Sequence, residues 1–270
     1  MEIKLIACDM DCTLLKSNGR DISERNMAAV RQALDAGKIF LLATGRMYLG
    51  ALDAAKRLAL DIPLICYNGA LVKGSVSGRV FYEQKLAQKT AQELLDFCRE
   101  QKLYVQTYFG YGCYVAKATD FSRYYGRINN IEVKEIGDAA YIAAEAPYKL
   151  LIVTDDASFE QTMAVLKQRF AGKADLYLSQ KNFIEVMEPS VNKWEAVKSV
   201  AASYGIAPRE IMCIGDSNND VAMVANAGLG VAVANATEKV LQAAKIITAS
   251  NDDDGVALVL ESVLTKQAVE

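Results

Sequence analysis

Two aspartates, Asp9 and Asp11, stand at the end of the short apolar run Ile3–Cys8. Carboxylates so placed can act as nucleophile, as general acid and base, or as ligands of a hard cation. A second apolar run, Ile211–Ile214, ends in Gly215-Asp216, and Asp216, Asn218, Asn219 and Asp220 form a cluster richer than helix capping requires. Thr44 closes a third run, Ile39–Ala43, and Asn68 follows a fourth, Leu64–Tyr67. Lys193 lies near the start of a helical pattern, where the helix dipole disfavours a cation, so a buried anionic partner is expected for it. The chain contains no histidine. That excludes a Ser-His-Asp triad, a Cys-His pair and any His-ligated metal, and leaves acid–base work to carboxylates, Lys, Tyr or Cys. A metal site would be oxygen-rich, which favours Mg²⁺ over Zn²⁺.

The elements that must position these residues alternate between strand and helix. After Ile3–Cys8, Ser23 reads as an N-cap before Met27, Val30 and Leu34 at helical spacing, with Gly37 as the stop. A helix carrying Leu49, Leu52 and Ala55 separates the strands Ile39–Ala43 and Leu64–Tyr67. This alternation predicts an α/β fold with a doubly wound parallel sheet, in which ligands bind beyond the carboxyl ends of the strands. The pattern changes near residue 82. Thr90-x-x-Glu93 reads as a capping box, Leu103–Tyr108 and Cys113–Ala116 as a hairpin, and Lys149–Thr154 as a strand. Ser158 reads as the cap of a helix bearing Phe159, Met163, Leu166 and Phe170, followed by a second hairpin around Gln180-Lys181-Asn182. Nine of the thirteen tyrosines fall in this stretch. The expected organisation is a core domain at 1–82 and 190–270 interrupted by an inserted α+β cap domain at 83–189. The core pattern returns with a helix over about Asn192–Tyr204 and short strands at Ile211–Ile214, Val231–Ala234 and Ile246–Thr248.

Asp9-Met10-Asp11-Cys12-Thr13-Leu14, Thr44-Gly45-Arg46, Lys193 and Gly215-Asp216-Ser217-Asn218-Asn219-Asp220, in this order and each at a strand or helix end, resemble the four motifs of the haloacid dehalogenase superfamily. Within it the chain is most similar to the Cof-type, subfamily IIB sugar-phosphatase-like branch, and the tail Asn251-Asp252-Asp253-Asp254-Gly255-Val256 also resembles that branch. The resemblance implies a Mg²⁺-dependent phosphatase acting through an aspartyl-phosphate on Asp9. Asp11 would serve as acid and base. The metal would be held by Asp9, Asp216 and the backbone carbonyl of Asp11. Thr44, Gly45, Arg46, Asn68, Lys193 and Asn219 would bind the phosphorylated substrate, and Asp220 would orient Lys193 or a metal-bound water. Two positions depart from the family: Cys12 and Trp194 stand where glycine is usual and frequent, respectively. Trp194 is expected to pack on the core.

Blander readings remain beside these. Thr44 taken alone reads first as a helix cap. Gly228-x-Gly230 precedes a strand rather than following one, so it is structural, and Asn235-Ala236-Thr237 is a glycosylation sequon with no secretory context. A phosphomutase shares the first-motif chemistry. A phospho-acceptor receiver and a non-catalytic binding module are further alternatives. A net charge of −3 with no basic stripe argues against nucleic acid. The longest uncharged stretch, Val221–Thr237, is interrupted by Asn and Gly and reads as buried core rather than a membrane span. Ile3–Cys8 is too short for a secretory leader, and six scattered cysteines without a CxxC pair suit reduced thiols, so a cytoplasmic location is expected.

Overall fold

The computed structural model describes residues 2–58 and 61–267. It resolves into two compact units, one of residues 1–45, 51–82 and 192–270, the other of residues 46–50 and 83–191.

The chain opens with β1 (Leu5–Asp9), α1 (Glu24–Asp35), β2 (Ile39–Ala43), α2 (Tyr48–Leu58), β3 (Pro63–Cys66), β4 (Leu71–Gly74) and β5 (Val80–Glu83), all in the first unit except the first three residues of α2 and the last of β5. The second unit carries α3 (Gln88–Glu100), β6 (Tyr104–Phe109), β7 (Gly112–Val115), α4 (Asp120–Asn129), β8 (Val133–Glu135), β9 (Lys149–Val153), α5 (Phe159–Arg169), β10 (Asp175–Gln180) and β11 (Phe183–Met187). The first unit resumes with α6 (Lys193–Ser203), β12 (Ile211–Gly215), α7 (Val221–Asn226), β13 (Leu229–Ala232), α8 (Glu238–Ala243), β14 (Ile246–Ile247) and α9 (Gly255–Gln267).

The first sheet runs β14-β13-β12-β1-β2-β3-β4-β5, and its strands from β14 to β3 are parallel. All five residues of β1 are buried, as expected of a central parallel strand covered on both faces. One face packs against α6 and α7 through Leu5, Ala7, Leu41, Val197, Val200, Cys213 and Val224, and Trp194 joins this cluster at 8% exposure. The strand register sets the site: Asp9 pairs with Ala43, and Cys8 with Ile214. Asp9, Thr44 and Asp216 therefore leave adjacent strands at the same edge.

The second sheet runs β10-β11-β9-β6-β7-β8 and is antiparallel except for β7 with β8. Alternate residues, Val105, Leu150, Ile152, Ile184 and Val186, pack on Leu94, Leu95 and Leu166 from α3 and α5. The other face is polar and aromatic. Lys149 Nζ lies 2.9 Å from Glu185 Oε1 and 5.0 Å from the Tyr108 ring centroid, while the Tyr108 hydroxyl donates to Gln106 Oε1 at 2.7 Å. From α4, Phe121 meets Tyr104 and Phe183 edge-on and Tyr125 meets Tyr108, so these packing contacts use three of the nine tyrosines of the stretch.

Several local expectations are corrected. Thr90 opens no helix: α3 starts at Gln88 with Ala87 as N-cap, and Thr90 is buried inside the first turn. Ser158 is the N-cap residue of α5 as expected, but its side chain makes no capping bond; its N–H and hydroxyl both donate to Asp155 Oδ1. Of the stripe expected in α2, Ala55 is buried, Leu52 is half-buried and Leu49 is 47% exposed; Ala51, Ala54 and Leu58 complete the buried face. In α1 the buried face is Asn26, Ala29, Val30 and Ala33, so of the expected stripe Val30 is buried while Met27 and Leu34 are half-buried. The strand expected at Val231–Ala234 begins two residues earlier, and Ile246 and Ile247 form an exposed edge. Among the described residues no helix is long and apolar enough to cross a membrane.

Candidate active site

Asp9 ends β1 with 4% of its surface exposed. Lys193 is the first residue of α6, whose N-cap Asn192 accepts from the Glu195 amide. That start directs the Lys193 ammonium inward, where Nζ lies 2.5 Å from Asp9 Oδ1 and 2.6 Å from Asp220 Oδ1. Asp220 is fully buried, and its second oxygen accepts from the amides of Asp216 (3.1 Å) and Ser217 (2.9 Å). Gly215 makes room for it: a Cβ there would stand 2.5 Å from Asp220 Cβ. Asp216 in turn accepts from the Thr13 hydroxyl (3.0 Å) and the Ser217 hydroxyl (2.8 Å).

Among the described residues, Asp9, Asp216 and Asp220 each place an oxygen within 4.8 Å of the others, and the Lys193 ammonium pairs with Asp9 and Asp220. Burial first, then Asp220, pushes the Asp9 carboxyl well above the usual carboxylate range, against the pull of Lys193. Asp216 is raised as well, chiefly by burial. Burial alone would lower the Lys193 pKa, but the charges of Asp220 and Asp9 outweigh it and hold the ammonium protonated. Both Asp220 oxygens are engaged by Lys193 and backbone amides, which leaves Asp9 and Asp216 with spare oxygen lone pairs. Such a donor set suits a hard divalent cation.

Asp11 and Cys12 occupy the loop Met10–Leu14, where Asp11 is extended and Cys12 is left-handed with φ +56°. A non-glycine residue there costs about 1 kcal/mol. Cys12 is exposed; the other five cysteines are buried thiols. The Thr44 hydroxyl reaches Asp11 Oδ2 at 3.5 Å, a long contact. Asn68 follows β3 in a left-handed turn, donates its amide to the Thr44 carbonyl, and accepts from Asn219 Nδ2 at 2.9 Å. The expected residues Asp9, Asp11, Thr44, Asn68, Lys193, Asp216, Asn219 and Asp220 are thus linked directly or through one neighbour, and Gly45 abuts Asn68. Arg46, next in the motif, belongs by its backbone to the second unit. Thr13 and Ser217 were not singled out from the sequence. Both lie inside the motifs, so a hydroxyl beside each acidic position was the available signal.

A sequence model of haloacid dehalogenase-like hydrolases matches residues 6–260. The chain is 30% identical to the Bacillus subtilis 5-amino-6-(5-phospho-D-ribitylamino)uracil phosphatase YcsE, over 95% of this chain and 94% of that one. It is 25% identical to phosphatase YwpJ of the same organism, over 97% and 100%. Among solved structures, a haloacid dehalogenase-like hydrolase from Bacteroides thetaiotaomicron superposes with a TM-score of 0.89 at 29% identity, covering 97% of this chain and all of that one.

Proposed function

The chain belongs to the haloacid dehalogenase-like hydrolases and is a phosphatase, and on that premise we propose that it hydrolyses a phosphorylated small metabolite through a phosphoryl group carried transiently on Asp9. The observation that carries this reading is Lys193 Nζ bridging Asp9 and Asp220 at the end of a buried strand. A carboxylate held by one oxygen keeps the other for attack.

Asp9 and Asp216, with the backbone carbonyl of Asp11, would hold Mg²⁺, which supplies the positive charge that lets a phosphate dianion approach a carboxylate. An oxygen of Asp9 bonds to phosphorus as the bond to the leaving oxygen breaks. Asp11 gives its proton to that oxygen, then takes one from the water that attacks the phosphorus and frees Asp9. Thr44 and the amides that follow it bind phosphoryl oxygens, and Lys193 neutralises charge that builds in transit. Arg46, Asn68 and Asn219 complete substrate binding in this reading. The inserted segment 83–189 would choose among leaving groups.

The substrate class is a sugar phosphate, a nucleotide or a flavin-precursor phosphate; the named activity of the YcsE relative favours the last. The test is a panel of these esters assayed with Mg²⁺ and with EDTA. The reading expects Mg²⁺-dependent release of inorganic phosphate from one class. Undiminished turnover in EDTA, or no turnover of any ester, contradicts it. Replacing 83–189 by a short linker should level kcat/KM across the panel.

A further inference from the structure

The loop that carries Asp11 is pinned from outside the motifs. Asn235 Nδ2 donates to the Cys12 carbonyl at 2.8 Å, and Asn251 Nδ2 donates to the Leu15 carbonyl at 3.0 Å. The two asparagines are themselves joined, since Asn235 Oδ1 accepts from the Asn251 amide at 2.9 Å. The Asp252 carboxylate accepts two further bonds, from the Ser17 amide at 3.0 Å and from the Ser17 hydroxyl at 2.5 Å. Asn235 is held in turn to the site, because the Thr237 amide donates to the Asp216 carbonyl at 2.8 Å. Asn251 is 2% exposed, whereas Asn235 is exposed.

We infer that Asn235 and Asn251 are positioning residues that hold Cys12 in its left-handed backbone conformation and thereby aim Asp11 at the leaving oxygen. A cysteine at φ +56° relaxes toward the ordinary negative-φ region unless its flanks are fixed. The bonds to the carbonyls of Cys12 and Leu15 fix the loop on both sides of Thr13, whose hydroxyl ties it to Asp216. Asp11, one residue before Cys12, swings with any rotation there. Asp9 is on β1 and does not.

The inference rests on the proposed role of Asp11 and separates it from a general loss of fold. Proton donation matters for an alkoxide leaving group and little for a nitrophenolate. Asn235→Ala should therefore lower kcat/KM about tenfold on the best alkyl phosphate ester of the panel, the worth of roughly one hydrogen bond. It should lower kcat/KM less than about threefold on p-nitrophenyl phosphate, because kcat/KM stops at the first phosphoryl transfer and leaves out the later water attack. Asn235→Asp keeps the acceptor for the Asn251 amide and loses the donor to Cys12, so it should show the same split. Cys12→Gly added to Asn235→Ala should restore most of the lost kcat/KM, because glycine holds a positive φ unaided. Equal losses on both esters, no loss on either, or no recovery by Cys12→Gly overturns the inference while the phosphatase reading stands. A parent enzyme that hydrolyses neither ester overturns that reading and the inference together.

Discussion

Lys193 and Asp220 form a fully buried ion pair, with side-chain exposures of 1% and 0% and an Nζ–Oδ1 distance of 2.6 Å. The pair is stable only because every strong group has a partner. Lys193 has Asp9 as well, and the second oxygen of Asp220 has two amides.

Removing the ammonium should therefore damage both fold and chemistry. Lys193→Met leaves buried carboxylates without their counter-charge, and breaking such a pair from one side costs about 3–5 kcal/mol. Thermal or urea denaturation should show a loss of that order, and phosphate release should fall to background. Asp220→Asn should also destabilise, since an amide NH₂ facing the Asp216 and Ser217 amides replaces an acceptor by a donor. A Lys193→Met protein as stable as the parent would contradict the buried-pair account.

Asp11 is expected to separate binding from turnover. Asp11→Asn should lower kcat by ~10² to 10⁴, the scale of a lost acid–base group. Mg²⁺ affinity, measured by calorimetry, should survive, because only the backbone carbonyl of Asp11 is assigned to the metal. Collapse of Mg²⁺ binding in this variant would make its side chain a ligand.

Cys12 makes a stability prediction. Cys12→Gly relieves the left-handed strain and Cys12→Ala retains it, so the glycine variant should be the more stable of the two by about 1 kcal/mol in urea denaturation. Equal stability would mean that the loop carries no strain at residue 12.

In the second unit, Lys149 and Glu185 form a buried pair 2.9 Å apart, at 2% and 8% side-chain exposure. Lys149→Met alone should cost about 3–5 kcal/mol, and adding Glu185→Leu should recover much of it, as for buried pairs replaced by apolar residues. A double variant no more stable than the single would mean that Glu185 finds other compensation from the Gln106 and Tyr108 network beside it.

Much of this was legible in the sequence where burial acts on a whole run. Strands β1, β2, β3 and β12 are continuous apolar segments, and the polar residues that end them can only mark the sheet edge. The Lys193 partnership was readable because a lysine at a helix start is unfavourable without an anion. Legibility failed where the pattern is short or shared. Strands β4 and β5 are four residues each around the turn at Ser75–Arg79 and carry no long apolar signal. Helix α4 is rich in Ser, Tyr, Arg and Gly, and its capping pair Thr119 and Ser122 lacks the usual Glu or Gln. Thr90 and Glu93 matched a capping box by spacing, but the N-cap is Ala87, three residues earlier, and Thr90 is buried within the first turn. Asn235 had no local signal at all: its partner Cys12 is 223 residues away, and the surrounding triplet reads as a sequon.

The central claim is that Asp9 is the nucleophile, and trapping the phosphoryl group tests it most directly. The enzyme is mixed with its best substrate and Mg²⁺, quenched in acid within the first turnover, and digested with pepsin at low pH. The account predicts a single phosphoryl group assigned by peptide fragmentation to Asp9 and not to Asp11, released by neutral hydroxylamine as an acyl phosphate must be. A folded Asp9→Asn protein should yield no phosphopeptide and no turnover. Turnover in Asp9→Asn comparable to the parent, or a phosphoryl group trapped on any other residue, would contradict the account.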